Sequence, residues 1–191
     1  TIVAQAFRLM EKSPISSFAD DSEEAAAAAE QYDEGMGICL EACDWAFASV
    51  LAALPEATNL AETIASDPDL PYSYKMPGDC VVLQEVGPVG TKWRRDRDLL
   101  RADQAGPIPI RYTGKITNES ALPRTFKTAV AYHLAALLAP RWQSTRTKVA
   151  DLHAYGDKYL KRAMGRDGNQ ASPTRYDDQP NEGDWATQVT L

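Results

Sequence analysis

Histidine is nearly absent from this chain, with two in 191 residues, His133 and His153, and only three cysteines accompany them, Cys39, Cys43 and Cys80. An odd thiol count with no CxxC pair gives no basis for a disulfide framework or a tetrahedral zinc site. Long apolar runs are missing as well. The uncharged apolar stretches 45–55 and 128–140 fall short of the ~20 residues that a membrane-spanning helix needs, so no membrane partner is expected. The opening Thr1-Ile2-Val3-Ala4 soon meets Arg8, Glu11 and Lys12, without the basic, apolar and small-residue order of a secretory signal. It reads as a cytosolic product that has lost its initiator methionine.

Catalytic motifs are lacking too. There is no GxSxG, P-loop, GxGxxG or HExxH, so neither a catalytic residue nor a cofactor is expected. Asp151 and His153 are two residues apart, which on a helix places them about 200° from each other and leaves the imidazole unoriented. His133 falls on the apolar side of its segment and reads as a packing residue. Cys39 and Cys43 share a helical face at i, i+4, but without a further donor they read as core side chains. Asp20 and Asp21 are explained by helix capping, and Asp177 and Asp178 by solvation.

What the chain does contain is helical periodicity at both ends and strand-like sequence between. Ala4, Phe7 and Leu9-Met10 predict a first helix over about 2–12, closed by Ser13-Pro14. After the cap candidates Asp20, Asp21 and Ser22, less polar positions recur at Ala25, Ala29, Tyr32, Met36, Cys39, Cys43, Phe47, Val50 and Leu54. These steps predict one long helix over 22–54, bent or interrupted at Gly35 and Gly37. Cys80 to Val86 and Pro109 to Tyr112 read as strands, with Gly87-Pro88-Val89-Gly90 as a turn, which predicts a small β insertion over about 72–113. Pro123 and Pro140 bracket a helix over 123–139, and a last helix is expected over 144–164 with Gly165 just beyond its end. Residues 166–191 are rich in Gly, Asn, Asp, Pro and Ser and read as an extended C-terminal arm, able to reach about 85 Å when fully drawn out. The expected fold is mainly α: an antiparallel helical bundle over 1–165 with a small antiparallel β-sheet insertion, followed by the arm.

Charge is segregated along the chain. Residues 1–70 carry two basic against 14 acidic side chains, whereas residues 92–166 carry 16 basic against six acidic, within a total of −7. Such polarity favours one docking register between copies. The candidate charges for contact between subunits, or for lining a DNA channel, are Glu23, Glu24, Glu30, Lys92, Arg94, Arg95, Arg97 and Arg101. The segment Lys92 to Arg101 mixes five cations and Trp93 with two acids. That mixture suits an intersubunit ion-pair strip at least as well as a phosphate backbone.

In its order of blocks the sequence resembles the head-to-tail adaptor proteins of short-tailed bacteriophages, the tail tubular protein A or gatekeeper family. The blocks are the helix ending Cys43-Asp44-Trp45-Ala46-Phe47-Ala48, then Tyr72-Ser73-Tyr74-Lys75-Met76-Pro77-Gly78-Asp79-Cys80-Val81-Val82-Leu83. Ile110-Arg111-Tyr112-Thr113-Gly114-Lys115-Ile116-Thr117, the Ala-rich segment Phe126 to Ala139 and the segment through Tyr159-Leu160-Lys161-Arg162-Ala163 follow. The likeness covers about 1–170. It departs where Ser120-Ala121-Leu122-Pro123 replaces the family's acidic-Pro entry to the Ala-rich helix, and the stretch past Gly165 has no block that aligns.

The resemblance implies a virion protein assembled in the host cytoplasm as a homo-oligomeric ring, usually of about twelve copies, at the phage neck. Such a ring binds the portal protein above and the tail nozzle, tubular protein B, below, often meets tail fibres, and passes genomic DNA through its channel. Acidity of the long helix is expected toward that channel, where it would repel DNA. The arm is expected to become ordered on the portal through Arg166, Arg175, Tyr176, Trp185 and Leu191, with Trp185 as the anchor. The competing readings are a head-completion or stopper connector of another tailed phage, and a small helical nucleic-acid-binding regulator that uses residues 92–101.

Overall fold

Thr1 opens the first helix, α1 (Ile2–Leu9), by accepting the Ala4 N–H on its hydroxyl at 3.2 Å, the usual service of a helix-capping threonine. Ile2, Val3, Ala6 and Phe7 form its buried face, and Glu11, at φ 60°, turns the chain away. The helix is therefore shorter than the predicted 2–12. This computed structural model describes residues 1–57, 67–142 and 146–168.

The second helix, α2 (Glu23–Glu41), is capped by Ser22, whose hydroxyl accepts the Ala25 N–H at 3.1 Å, and Glu23 and Glu24 lie against its positive N-terminal end. Asp20 is used elsewhere, holding the Ser16 and Ser17 N–H groups. The predicted helix over 22–54 is corrected in two respects. It runs unbroken through Gly35 and Gly37, and it stops at Glu41. There the indole N–H of buried Trp45 donates to the Cys39 carbonyl at 2.9 Å, satisfying an acceptor that the end of a helix leaves open. After the 3-10 turn Ala46–Ala48 the chain becomes strand β1 (Ser49–Leu54). Val50, Ala52 and Leu54 turn inward, while Leu51 and Ala53 are exposed.

Five more strands follow: β2 (Tyr72–Lys75), β3 (Cys80–Val86), β4 (Trp93–Asp96), β5 (Leu99–Ala102) and β6 (Ile108–Gly114). They make two three-stranded antiparallel sheets, ordered β1-β6-β3 and β2-β5-β4. An antiparallel bridge from Glu56 to Tyr74 connects the two. The sheets close on a core of their own that includes Leu54, Tyr74, Val86, Leu100, Ile108 and Ile110. Gly87 and Gly90, both at positive φ, shape the turn after β3, where the backbone requirement favours glycine.

Helix α3 (Arg124–Trp142) starts directly after Pro123 and passes Pro140 by two residues. Helix α4 (Arg146–Gly168) continues beyond Gly165, so Gly165 is not its terminator and Arg166 belongs to the helix rather than to an arm. Phe126, Val130, Leu134 and Leu138 of α3 sit at the centre of the helical core, which takes in Phe7, Met36, Leu40, Trp45, Leu152 and Leu160.

The mainly α bundle expected from the sequence is overturned. Helices account for 48% and strands for 21% of the structure, which makes this an α+β fold of four helices and two sheets. A strand content of that size, with a separate buried core, is a structural layer rather than a decoration on a bundle.

An arginine joins the layers. Arg111 on β6 reaches Asp44, in the turn after α2, and Glu85 on β3. Both carboxylates push the guanidinium pKa further up, Glu85 foremost, against the opposing effect of burial. Lys115 to Asp33 at 2.7 Å adds a more exposed tie between the end of β6 and α2.

Candidate functional site

The charged residues singled out by sequence sort into paired and unpaired sets. Glu23 is held by Arg141 at 2.7 Å and Glu24 by Lys12 at 3.4 Å; the Glu24 pKa is lowered foremost by its own backbone N–H, with Lys12 adding to the effect. Glu30 is exposed and, with Glu34 and Glu41, makes no ion pair among the described residues. On the other side, Arg94 and Arg101 are register partners across β4 and β5. Two guanidiniums placed opposite each other repel, and Asp96 offsets this by pairing its charge with both, 2.8 Å from Arg94 and 2.9 Å from Arg101. Arg94 also reaches Asp67 at 2.9 Å, and these carboxylates raise its pKa while its own charge lowers that of Asp96.

Arg101 is only 7% exposed. It is thus a structural charge of the sheet and not the surface cation read from the sequence. Lys92, Arg95 and Arg97 remain as exposed cations around exposed Trp93, without an ion pair among the described residues. Arg97 sits at φ 59° in the β4–β5 turn, held by the Arg95 Nε–H donating to its carbonyl at 3.3 Å. The fold therefore neutralises part of the segregated charge within the subunit. It leaves an acidic set on α2 and a basic set on the β4–β5 hairpin.

A cleft lies where the start of α3, the end of α4 and the 3-10 turn after Trp45 meet. Its volume is about 180 Å³ and its lining is Trp45, Phe47, Pro123, Arg124, Thr125, Phe126, Ala163, Arg166 and Asp167. The three aromatic rings pack on one another with centroids 4.9 to 5.4 Å apart, within the range that edge-to-face pairs favour. Arg166 donates to the Thr125 hydroxyl at 3.0 Å. Asp167, 4% exposed, accepts the Ala46 N–H on Oδ2 at 2.6 Å, which ties the end of α4 to the 3-10 turn. Its Oδ1 has no hydrogen-bond partner among the described residues. Burial raises the Asp167 pKa, with the Ala46 and Phe47 amides pulling the other way.

Sequence reasoning missed this cleft because it placed Asp167 in the arm. The signal was present: Leu152, Gly156, Leu160, Ala163 and Asp167 follow one another at helical steps, and all are buried. Of the residues assigned to portal binding, Arg166 stands at the cleft, while Arg175, Tyr176, Trp185 and Leu191 lie outside the described residues.

The thiol and imidazole candidates occupy the core or its edge. Burial pushes the Cys39 thiol up to about 12, with Asp157 adding to the effect, which makes it a poor nucleophile. All three cysteines are thiols. Cys43 lies past the end of α2 and not on a shared helical face with Cys39. Among the described residues, no group of three or more His, Cys, Asp or Glu side chains is arranged to hold a metal ion. In the same residues no helix is long and apolar enough to cross a membrane. No protein-family model matches the chain, and no curated protein matches it in sequence.

Proposed function

We propose that this chain is a structural ring subunit of a short-tailed phage neck, an adaptor that docks under the portal and carries the DNA channel toward the nozzle. The observation that supports the reading is the placement of unsatisfied charge: Glu30, Glu34 and Glu41 on α2, and Lys92, Arg95 and Arg97 on the β4–β5 hairpin. Two complementary patches on different elements of one subunit make a head-to-tail contact, and head-to-tail contacts close into rings when the rotation permits. Opposite charge then fixes the register and speeds the encounter more than it adds affinity. The phage part of the proposal rests on the resemblance carried by the sequence blocks named above.

The test is the mass of the purified protein, alone and after mixing with a portal ring, by native mass spectrometry. The expected outcome is the addition of about twelve copies per portal. Pairing Glu30→Lys with Arg95→Glu should restore assembly that either change alone weakens. A protein that ignores the portal and instead binds short DNA duplexes, with affinity falling steeply as salt rises, would overturn the adaptor reading in favour of a nucleic-acid-binding regulator.

A further inference from the structure

We propose that the outer seam between α3 and α4 binds a single strand of nucleic acid, its bases stacking on tyrosine and its phosphates held by cations. Helical spacing builds the surface. Tyr155, Tyr159, Arg162 and Arg166 follow one another at steps of four, three and four, which places them on one stripe of α4 about 16 Å long. That stripe follows the seam with α3. Tyr132 of α3 stacks on Tyr159, with centroids 5.2 Å apart and rings 12° from parallel, and lies 5.7 Å from Tyr155 at 32°. Further along, Arg166 donates to the Thr125 hydroxyl at 3.0 Å. Tyr132 and Tyr159 are half-buried, whereas Tyr155 is 50% exposed. With Tyr132 against one side, the exposed part of the Tyr155 ring offers a flat apolar surface of the kind on which any base stacks.

Charge sets the sign of the partner. Lys158, Lys161, Arg162 and Arg166 of α4 and Arg124 at the start of α3 are exposed, and none makes an ion pair among the described residues. From Lys158 to the end of α4 the one acid is Asp167, and it is buried. The exposed acids Asp151 and Asp157 precede this stretch, and Asp157 is turned toward His133. A row of cations without local counter-charges suits a chain of phosphates, whose own counterions are released when the cations approach.

The tyrosines narrow the class further. In a duplex the base faces are already stacked on one another, so an exposed ring gains nothing from them, whereas a single strand offers free bases together with phosphates. An acidic protein would satisfy the cations and leave Tyr155 unused. The β4–β5 hairpin also combines cations with an exposed aromatic, but its charges are interleaved with acids. Asp67 and Asp96 hold Arg94, Asp96 holds Arg101, and Asp103 accepts the Lys92 N–H. The inference draws on cations other than those assigned to the ring contact and stands apart from that reading.

Fluorescence anisotropy of labelled oligothymidylate and oligouridylate, each about twelve nucleotides long, tests it with the full chain. Binding of either strand at low salt supports the proposal, and the preferred strand identifies the sugar. Log affinity should fall against log salt with a slope of about −0.7 per phosphate held, roughly −3 for four contacts. Lys158→Ala and Arg162→Ala should each flatten that slope by about 0.7. Tyr155→Ala should weaken binding roughly 5- to 150-fold at unchanged slope, and Tyr155→Trp, which keeps a stacking face, should retain it. Lys92→Ala with Arg95→Ala, in the hairpin, should leave binding unchanged. Absence of binding to both strands at low salt overturns the proposal. So does binding that depends on the hairpin cations and ignores Tyr155 and Arg162. Displacement by polyglutamate, with Tyr155→Ala neutral, overturns it as well and assigns the face to an acidic protein.

Discussion

His133 shows how a single side chain can carry a pH dependence. Its ring is 6% exposed and rests against Gly156 of α4, with Nε2 3.8 Å from Asp157 Oδ1. Burial lowers its pKa from the usual 6.5, Asp157 opposes this and His153 adds to it. The folded state therefore holds the ring neutral more strongly than the unfolded chain does. Stability is fully present above the unfolded value of about 6.5 and is lost as pH falls through the lower folded value, at about 1.4 kcal/mol for each unit of depression. Urea denaturation at pH 7.5 and 5.5 should show a weaker fold at the lower pH, and His133→Leu should flatten the difference. The apolar placement of His133 was legible from its spacing with Val130 and Leu137. Asp167 was harder to read: its helical step from Leu160 and Ala163 was there, but the polar run after Gly165 masked the last turn of α4.

Glycine has opposite meanings in the two helices that flank α3. A side chain at Gly37 of α2 would meet nothing within 4 Å, so Gly37→Ala removes only a helix-weakening residue and should stabilise the protein by up to about 1 kcal/mol. At Gly156 of α4 the added carbon would lie 3.0 to 3.2 Å from the His133 imidazole. Gly156→Ala should therefore destabilise by roughly 1–3 kcal/mol, as overpacking does, and thermal unfolding of the two variants should move in opposite directions. The start of α3 after Pro123 and most of α4 followed from apolar spacing, whereas the end expected at Pro140 was not met, because Pro140 lies inside α3. The stretch after Glu41 did not, because Phe47, Val50 and Leu54 satisfy a helical step while Val50, Ala52 and Leu54 satisfy the alternation of a strand. Pairing with β6, from Ser49 opposite Thr113 to Leu54 opposite Ile108, decides between them, and that partner lies far along the chain.

Among the described residues there are two hydrophobic cores, one among the helices and one between the sheets, and polar links couple them. Arg111 is the most buried of these, bonded to Asp44 and Glu85 at once. Removing it takes the shared cation away from both carboxylates. Loss of one partner from a fully buried ion pair costs roughly 3–5 kcal/mol, and the partial exposure of Glu85 reduces this. Arg111→Ala should cost about 2 kcal/mol and let the two layers unfold at separate urea concentrations. Tryptophan fluorescence in a Trp93→Phe background, which removes the tryptophan of β4, set against far-ultraviolet circular dichroism of the whole, would resolve the two transitions.

The pairing of Ser49 with Thr113 brings the first and last strands of the β layer side by side at the helical layer. Opposed residues of an antiparallel pair lie about 5 Å apart, so the chain enters and leaves the β layer at one place, while β3 also rests on the helices through Val81. A replacement cassette of any length could be grafted there without moving α2 or α3, provided it still presented Val81, which packs on the helical core, and the Arg111 link. Evolution could in this way exchange one β-layer surface for another while the helical scaffold kept its sequence.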